Sequence, residues 1–268
     1  MPFTENRVGE LLYMTASNIG TVHAFTTRFG GVSGGVYSSM NLGYKEGDDP
    51  ENVRRNYAIL GAALRVDPDG LVFSHQVHKD EVRVAGSADR RAPYAPIPYE
   101  ADGLITAEED LPLIIFSADC TPILLHDPVR GAVGAVHAGW RGTVRDIVGT
   151  AVGQMARELG CRPADIRAAI GPCISACCFE TGKDVRDAVE RVLGDQTSRF
   201  AAPRGDKYMV DLKGVNAVLL ERAGLERENI DVSPECTSCQ SDKYWSHRVT
   251  KGKRGSQAAV IILKGKPY

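Results

Sequence analysis

Short apolar runs alternating with amphipathic segments predict an α/β or α+β chain built on a mixed sheet. Two observations carry this. The stretches 113–119, 122–126, 131–137 and the closing QAAVIIL are strand-length and dominated by apolar residues, as strands covered on both faces are. Elsewhere apolar residues recur at helical spacing behind capping residues. Val53, Tyr57, Leu60 and Leu64 follow Asp49-Pro50, and Ile147, Val148, Ala151, Val152, Met155 and Leu159 follow the Thr143–Asp146 capping-box pattern.

In chain order, Thr21 to Thr27 reads as a strand running into the glycine-rich RFGGVSGGVYSSMNLG. That loop lacks the Gly-Lys-Ser/Thr ending of a phosphate loop, so it reads as a mobile cover for a pocket. The helix at Asp49-Pro50 comes next, then a strand from Leu71 to His78. The proline-rich residues 90–103 form a loop within one domain spanning 1–268, because segments on either side supply parts of one site. The helix after Asp146 ends at Gly160; another opens at Thr181–Asp184 and ends near Gly194; a third runs from about Asp211 to Ala223.

Bulk properties exclude several classes. A net charge of -2 over 268 residues gives no positive field for nucleic acid. The longest apolar runs, 111–116 and 258–263, fall far short of the ~20 residues of a membrane helix. The opening MPFTENRVGE lacks a secretion signal's basic and apolar regions. The expectation is a cytoplasmic monomer or small homo-oligomer without a membrane partner. Its seven cysteines then read as thiols or metal ligands, not disulfides.

Three polar endings carry the candidate site. In Leu71 to His78, strand alternation puts His75 with Leu71, Phe73 and Val77 as a core histidine, and His78 with Gln76 at the strand's end. Cys120 follows the apolar IIFSAD, where Thr121-Pro122 forces a turn. His137 ends AVGAVH, and glycines around Trp140-Arg141 permit close approach. Two imidazoles and a thiolate suit zinc, and three protein ligands leave a fourth position for water or substrate.

These pieces resemble the YfiH family, also described as the multicopper polyphenol oxidoreductase (laccase) or peptidoglycan editing factor PgeF family. The resemblance rests on TTRFGGVSGGVYSSMNLG, HQVHKDEV, ADGLIT, SADCTPILL, AVHAGWRGT, IGPCISACCFETG and CTSC with SHRVTKGKRGSQAAVI. It implies a single sandwich domain with two sheet layers, and zinc on His78, Cys120 and His137. It also implies phosphorolysis of adenosine, inosine and methylthioadenosine, deamination of adenosine, and in some members peptidoglycan editing. One departure stands out: Val249 and Ser256 occupy positions where the family commonly has arginine, while Lys253 and Arg254 are displaced by a residue or two.

On that chemistry, Asp102 is the candidate proton shuttle and Asp119 a second candidate or an orienting group. Arg28, Arg248 and Arg141 are candidate phosphate holders. Lys251, Lys253 and Arg254 read as a solvated basic segment. Cys236 and Cys239 have the spacing of half a zinc knuckle or a redox pair. With Cys173, Cys177 and Cys178 upstream a tetrathiolate site is one arrangement, reduced thiols near the active site the expected one. The alternative functions are a hydrolase editing peptidoglycan precursors with Cys120 as nucleophile and His137 as base, and a copper polyphenol oxidase.

Overall fold

Four layers follow from the way the strands bury both faces. The computed structural model describes residues 2–45 and 47–265. The strands are β1 (Phe3–Val8), β2 (Leu11–Ala16), β3 (Val22–Thr26), β4 (Val82–Val84), β5 (Gly103–Thr106), β6 (Leu113–Ser117), β7 (Thr121–Asp127), β8 (Ala132–Ala138), β9 (Arg167–Ile170), β10 (Glu180–Thr181), β11 (Ala201–Arg204), β12 (Lys207–Val210), β13 (Ile230–Val232) and β14 (Gln257–Ile262). The helices are α1 (Pro50–Leu64), α2 (Trp140–Thr143), α3 (Ile147–Leu159), α4 (Lys183–Leu193), α5 (Leu212–Arg222) and α6 (His247–Thr250).

One sheet runs β1-β2-β3-β14-β6 and is antiparallel throughout. A second, mixed sheet runs β13-β9-β7-β8-β5-β4, with parallel pairs only at its two edges. A small antiparallel sheet, β10-β12-β11, stands apart. Period-two alternation explains the layering. In β14, Ala259 and Ile261 meet Leu124 and Val133 of the mixed sheet, while Ala258, Val260 and Ile262 turn to Val53, Tyr57 and Leu60 of α1. In β7, Ile123 and Leu125 turn outward to Val148 and Val152 of α3 and Val215 of α5. The order is helix, sheet, sheet, helices, the mixed-sheet sandwich flanked by helices that the sequence predicts.

Two expectations change. Residues 71–78 are not a strand; they make isolated bridges to Arg91, Leu113 and Glu100, three separate segments. Alternation holds through Phe73, but His75 is exposed, not a core histidine, because the chain leaves the sheet there. Thr143 ends α2 instead of capping the longer helix. Asp146, held at φ 57°, accepts from the Gly149 amide and caps α3. Its substitution by alanine removes the cap and leaves a positive φ, so Asp146→Ala should cost about 1–2 kcal/mol by chemical denaturation. An unchanged midpoint would contradict that assignment.

Candidate metal centre

His78, Cys120 and His137 arrive from three different segments, and their ligand atoms lie within 4.8 Å of one another. His137 is the penultimate residue of β8. Cys120 sits in the turn between β6 and β7, where Asp119 takes φ 85° and Ser117 Oγ donates to the Cys120 carbonyl at 2.5 Å. His78 occupies a turn of its own at φ 61°.

One carboxylate organises two of the three. Asp102, fully buried just before β5, accepts the amides of Val77, His78 and Lys79, each at 3.0 Å. Its Oδ1 also lies 2.8 Å from His137 Nδ1. That contact fixes the Nδ1–H tautomer and turns Nε2 toward Cys120. Cys120 Sγ is 3.9 Å from His78 Nε2, and the two imidazole rings meet edge to face at 4.9 Å. A tetrahedral zinc with ordinary Zn–N and Zn–S bonds separates nitrogen from sulfur by about 3.6 Å, so the donor set fits with small adjustment. A Cβ on Gly139 would lie 3.0 Å from His78 Cδ2 and 3.2 Å from Cys120 Sγ, so glycine is what permits this approach.

The charges are coupled. Burial pushes the Cys120 thiol up, but the adjoining His137 and His78 rings outweigh it and bring it down to about 6. Burial pulls His137 down, yet the Cys120 thiolate and the Asp102 carboxylate outweigh that and raise it to about 9. For Asp102, burial works upward and is overcome by the His137 contact and the Lys79 and Val77 amides, leaving it below its ordinary value. Without a cation the pair is a thiolate beside an imidazolium.

The remaining candidates lie elsewhere than expected. Asp102 lines neither neighbouring cavity; its oxygens face the imidazole and the turn amides, the contacts of an orienting group. Asp119 instead ties down the C-terminal segment, accepting from Thr237 Oγ1, Ser246 Oγ and the Arg248 amide. Arg28 donates to the carbonyls of Ser38 and Ser241 and lies 4.1 Å over Trp245, so it braces the glycine-rich loop outside both cavities. Arg141 lies over Trp140 and also lines neither cavity.

Two cavities meet at His78 and Cys120, and His137 lines the first of them. One is walled by Tyr44, Phe116 and Ser256; the other by Trp140, Phe179, Leu212 and Arg248. His78, Cys120 and Arg254 line both. Arg254 is thus no solvated tail residue. Its Nη1 donates to Ser256 Oγ at 2.9 Å and to the Gly255 carbonyl at 2.9 Å.

Fold and centre together define a layered α+β sandwich protein with a His–Cys–His cluster able to hold a metal ion at the junction of two cavities. The sequence model described as multi-copper polyphenol oxidoreductase laccase matches residues 22–264, and the chain belongs to that family, the YfiH family. A relative named purine nucleoside phosphorylase from Deinococcus radiodurans is 41% identical over 250 residues, covering 93% of this chain and 92% of its own. Purine nucleoside phosphorylase YlmD of Bacillus subtilis is 34% identical over 253 residues, covering 92% and 90%. The crystal structure of YlmD from Geobacillus stearothermophilus matches with a TM-score of 0.93 at 32% identity, covering 98% of this chain and 99% of that one.

Two outcomes follow from this geometry. Asp102→Asn places an amide against donors that now meet oxygen, and should weaken zinc binding 10- to 100-fold in competition with a chromophoric chelator; unchanged affinity would remove its orienting role. A cation at the triad must also displace the His137 Nε2 proton. Apparent affinity should therefore climb roughly tenfold per pH unit from about 6 to about 9 and then level off, as the raised His137 titrates. A flat profile over that window would contradict the ion pair.

Proposed function

We propose that this chain is a zinc-dependent purine nucleoside phosphorylase of adenosine, inosine and methylthioadenosine that also deaminates adenosine, working in the cytoplasm. The observation that carries the reading is that two cavities share His78, Cys120 and Arg254, with His137 completing the cluster from the first of them. The names of the relatives support the substrate class.

His78 Nε2, Cys120 Sγ and His137 Nε2 are the ligands in this reading, and a bound zinc supplies Lewis-acid polarisation at the junction. The chain's own groups do the rest. Aromatic faces of Tyr44 and Phe116, or of Trp140 and Phe179, offer apolar walls for a purine. Arg254, assisted by Arg248, holds the phosphate anion beside the ribose. In phosphorolysis a phosphate oxygen bonds to the anomeric carbon as the glycosidic bond breaks, and the base leaves with its electron pair and takes up a proton.

The donor set speaks against a multicopper centre. Among the described residues, the only cluster of possible ligands that includes imidazoles is His78, Cys120 and His137, two imidazoles and one thiol, a mononuclear set. The thiolate–imidazolium pair of Cys120 and His137 also suits a cysteine hydrolase acting on a peptidoglycan precursor. His78, 3.9 Å from the same sulfur, favours the metal.

Chromatography of nucleosides incubated with the purified chain tests this. Adenine from adenosine and hypoxanthine from inosine should form only with phosphate, inosine should form from adenosine without it, and exhaustive chelation should abolish both until zinc returns. Amidase activity undiminished by chelation supports the hydrolase instead, and no change in any purine removes the nucleoside reading. Arg254→Ala should raise the phosphate KM roughly 10- to 100-fold; an unaltered KM would exclude Arg254 from anion binding.

A further inference from the structure

A second sulfur cluster lies outside the His–Cys–His centre. Cys177 and Cys178 sit on the segment between β9 and β10, and Cys236 and Cys239 on the turn after β13. The two segments are docked side by side: Cys173 bridges Cys236, and the Thr237 amide donates to the Cys173 carbonyl at 3.1 Å. All four Sγ atoms fall within 4.8 Å of one another. Cys239 Sγ is 3.4 Å from Cys177 Sγ and 3.3 Å from Cys178 Sγ.

Three features identify the occupant. Tetrahedral zinc thiolate sites hold sulfurs about 3.8 Å apart, which follows from the Zn–S bond length and matches this spread. Cys239 stands equally near two sulfurs, as a ligand of a shared cation does, whereas a disulfide would use only one of the two contacts. The Ser175 amide donates to Cys236 Sγ at 3.3 Å, and the Ser238 and Cys239 amides are directed at the same sulfur. Amides aimed back at the first thiolate of a C-x-x-C turn hold it as an anion ready for a cation.

We propose that Cys177, Cys178, Cys236 and Cys239 form a structural tetrathiolate site for zinc, separate from the His78–Cys120–His137 centre. It clamps the segment that walls one cavity to the turn after β13. Ile174 and Phe179 line that cavity from the first segment, and Arg248, downstream of the second, lines it while donating to the carbonyls of Cys178 and Glu180. All four ligands are supplied by protein, so the site leaves no position for substrate. Thiols still protonated lose their protons to solvent as the cation binds, all four binding as thiolates, and no electron is transferred.

The test isolates this cluster from the first centre. The variant His78→Ala/His137→Ala, which lacks the other ligand set, should still bind one zinc per chain. Cobalt in its place should show the intense visible bands and sulfur-to-metal charge transfer of a tetrathiolate. Adding Cys239→Ser should abolish that metal. If that variant unfolds, X-ray absorption at the zinc edge of wild-type protein decides instead, with zinc having four sulfur neighbours at about 2.3 Å expected for half the metal. Absence of metal from the folded His78→Ala/His137→Ala protein, a loss of two titratable thiols to a disulfide, or a wild-type spectrum without a four-sulfur component would each overturn the proposal. None of these readouts depends on nucleoside chemistry.

Discussion

The candidate centre hangs on one buried carboxylate. Asp102 satisfies three consecutive amides and an imidazole with its two oxygens, so the turn bearing His78 and the ring of His137 cannot move independently. Burying an anion is costly unless it is fully hydrogen-bonded, and here every contact that stabilises the charge also positions a donor. The backbone repeats the link: the His137 amide donates to the Asp102 carbonyl, and the Asp102 amide to the Glu81 carbonyl. The sandwich makes this possible by pairing β5 with β8, which sets Asp102 beside His137.

A second aspartate does similar work for the third donor. Asp119, next to Cys120, gathers Thr237, Ser246 and the Arg248 amide, fastening the C-terminal segment over the turn that carries the thiol. That segment brings Arg248 and Arg254 to the cavities and borders the four-cysteine cluster. The site is therefore assembled from strand ends on the sheet side and from a cross-braced loop system opposite.

Legibility from sequence followed burial. Strands covered on both faces, β6, β7, β8 and β14, announce themselves as continuous apolar runs, and helices α1 and α3 as periodic ones. Strands β4, β10 and β13 are two or three residues long and owe their existence to partners far away in the chain, so no local pattern marks them. His78 emerged from an alternation argument although its segment is not a strand; the choice rested on polar neighbours at the end of an apolar stretch, and that feature is real. The role of Asp102 was not legible, because nothing in Ala-Asp-Gly reveals three amides converging from residues 77–79. Arg254 was hidden for the same reason: a basic tripeptide looks solvated until its fold returns it to Ser256.

Crystallography at the zinc absorption edge, on protein purified without added metal, tests the central claim most directly. The account predicts an anomalous peak bonded to His78 Nε2, Cys120 Sγ and His137 Nε2, at about 2.0–2.3 Å from each, with Asp102 still holding His137 Nδ1. A well-ordered crystal of active protein with these three groups turned apart and no peak among them would contradict it.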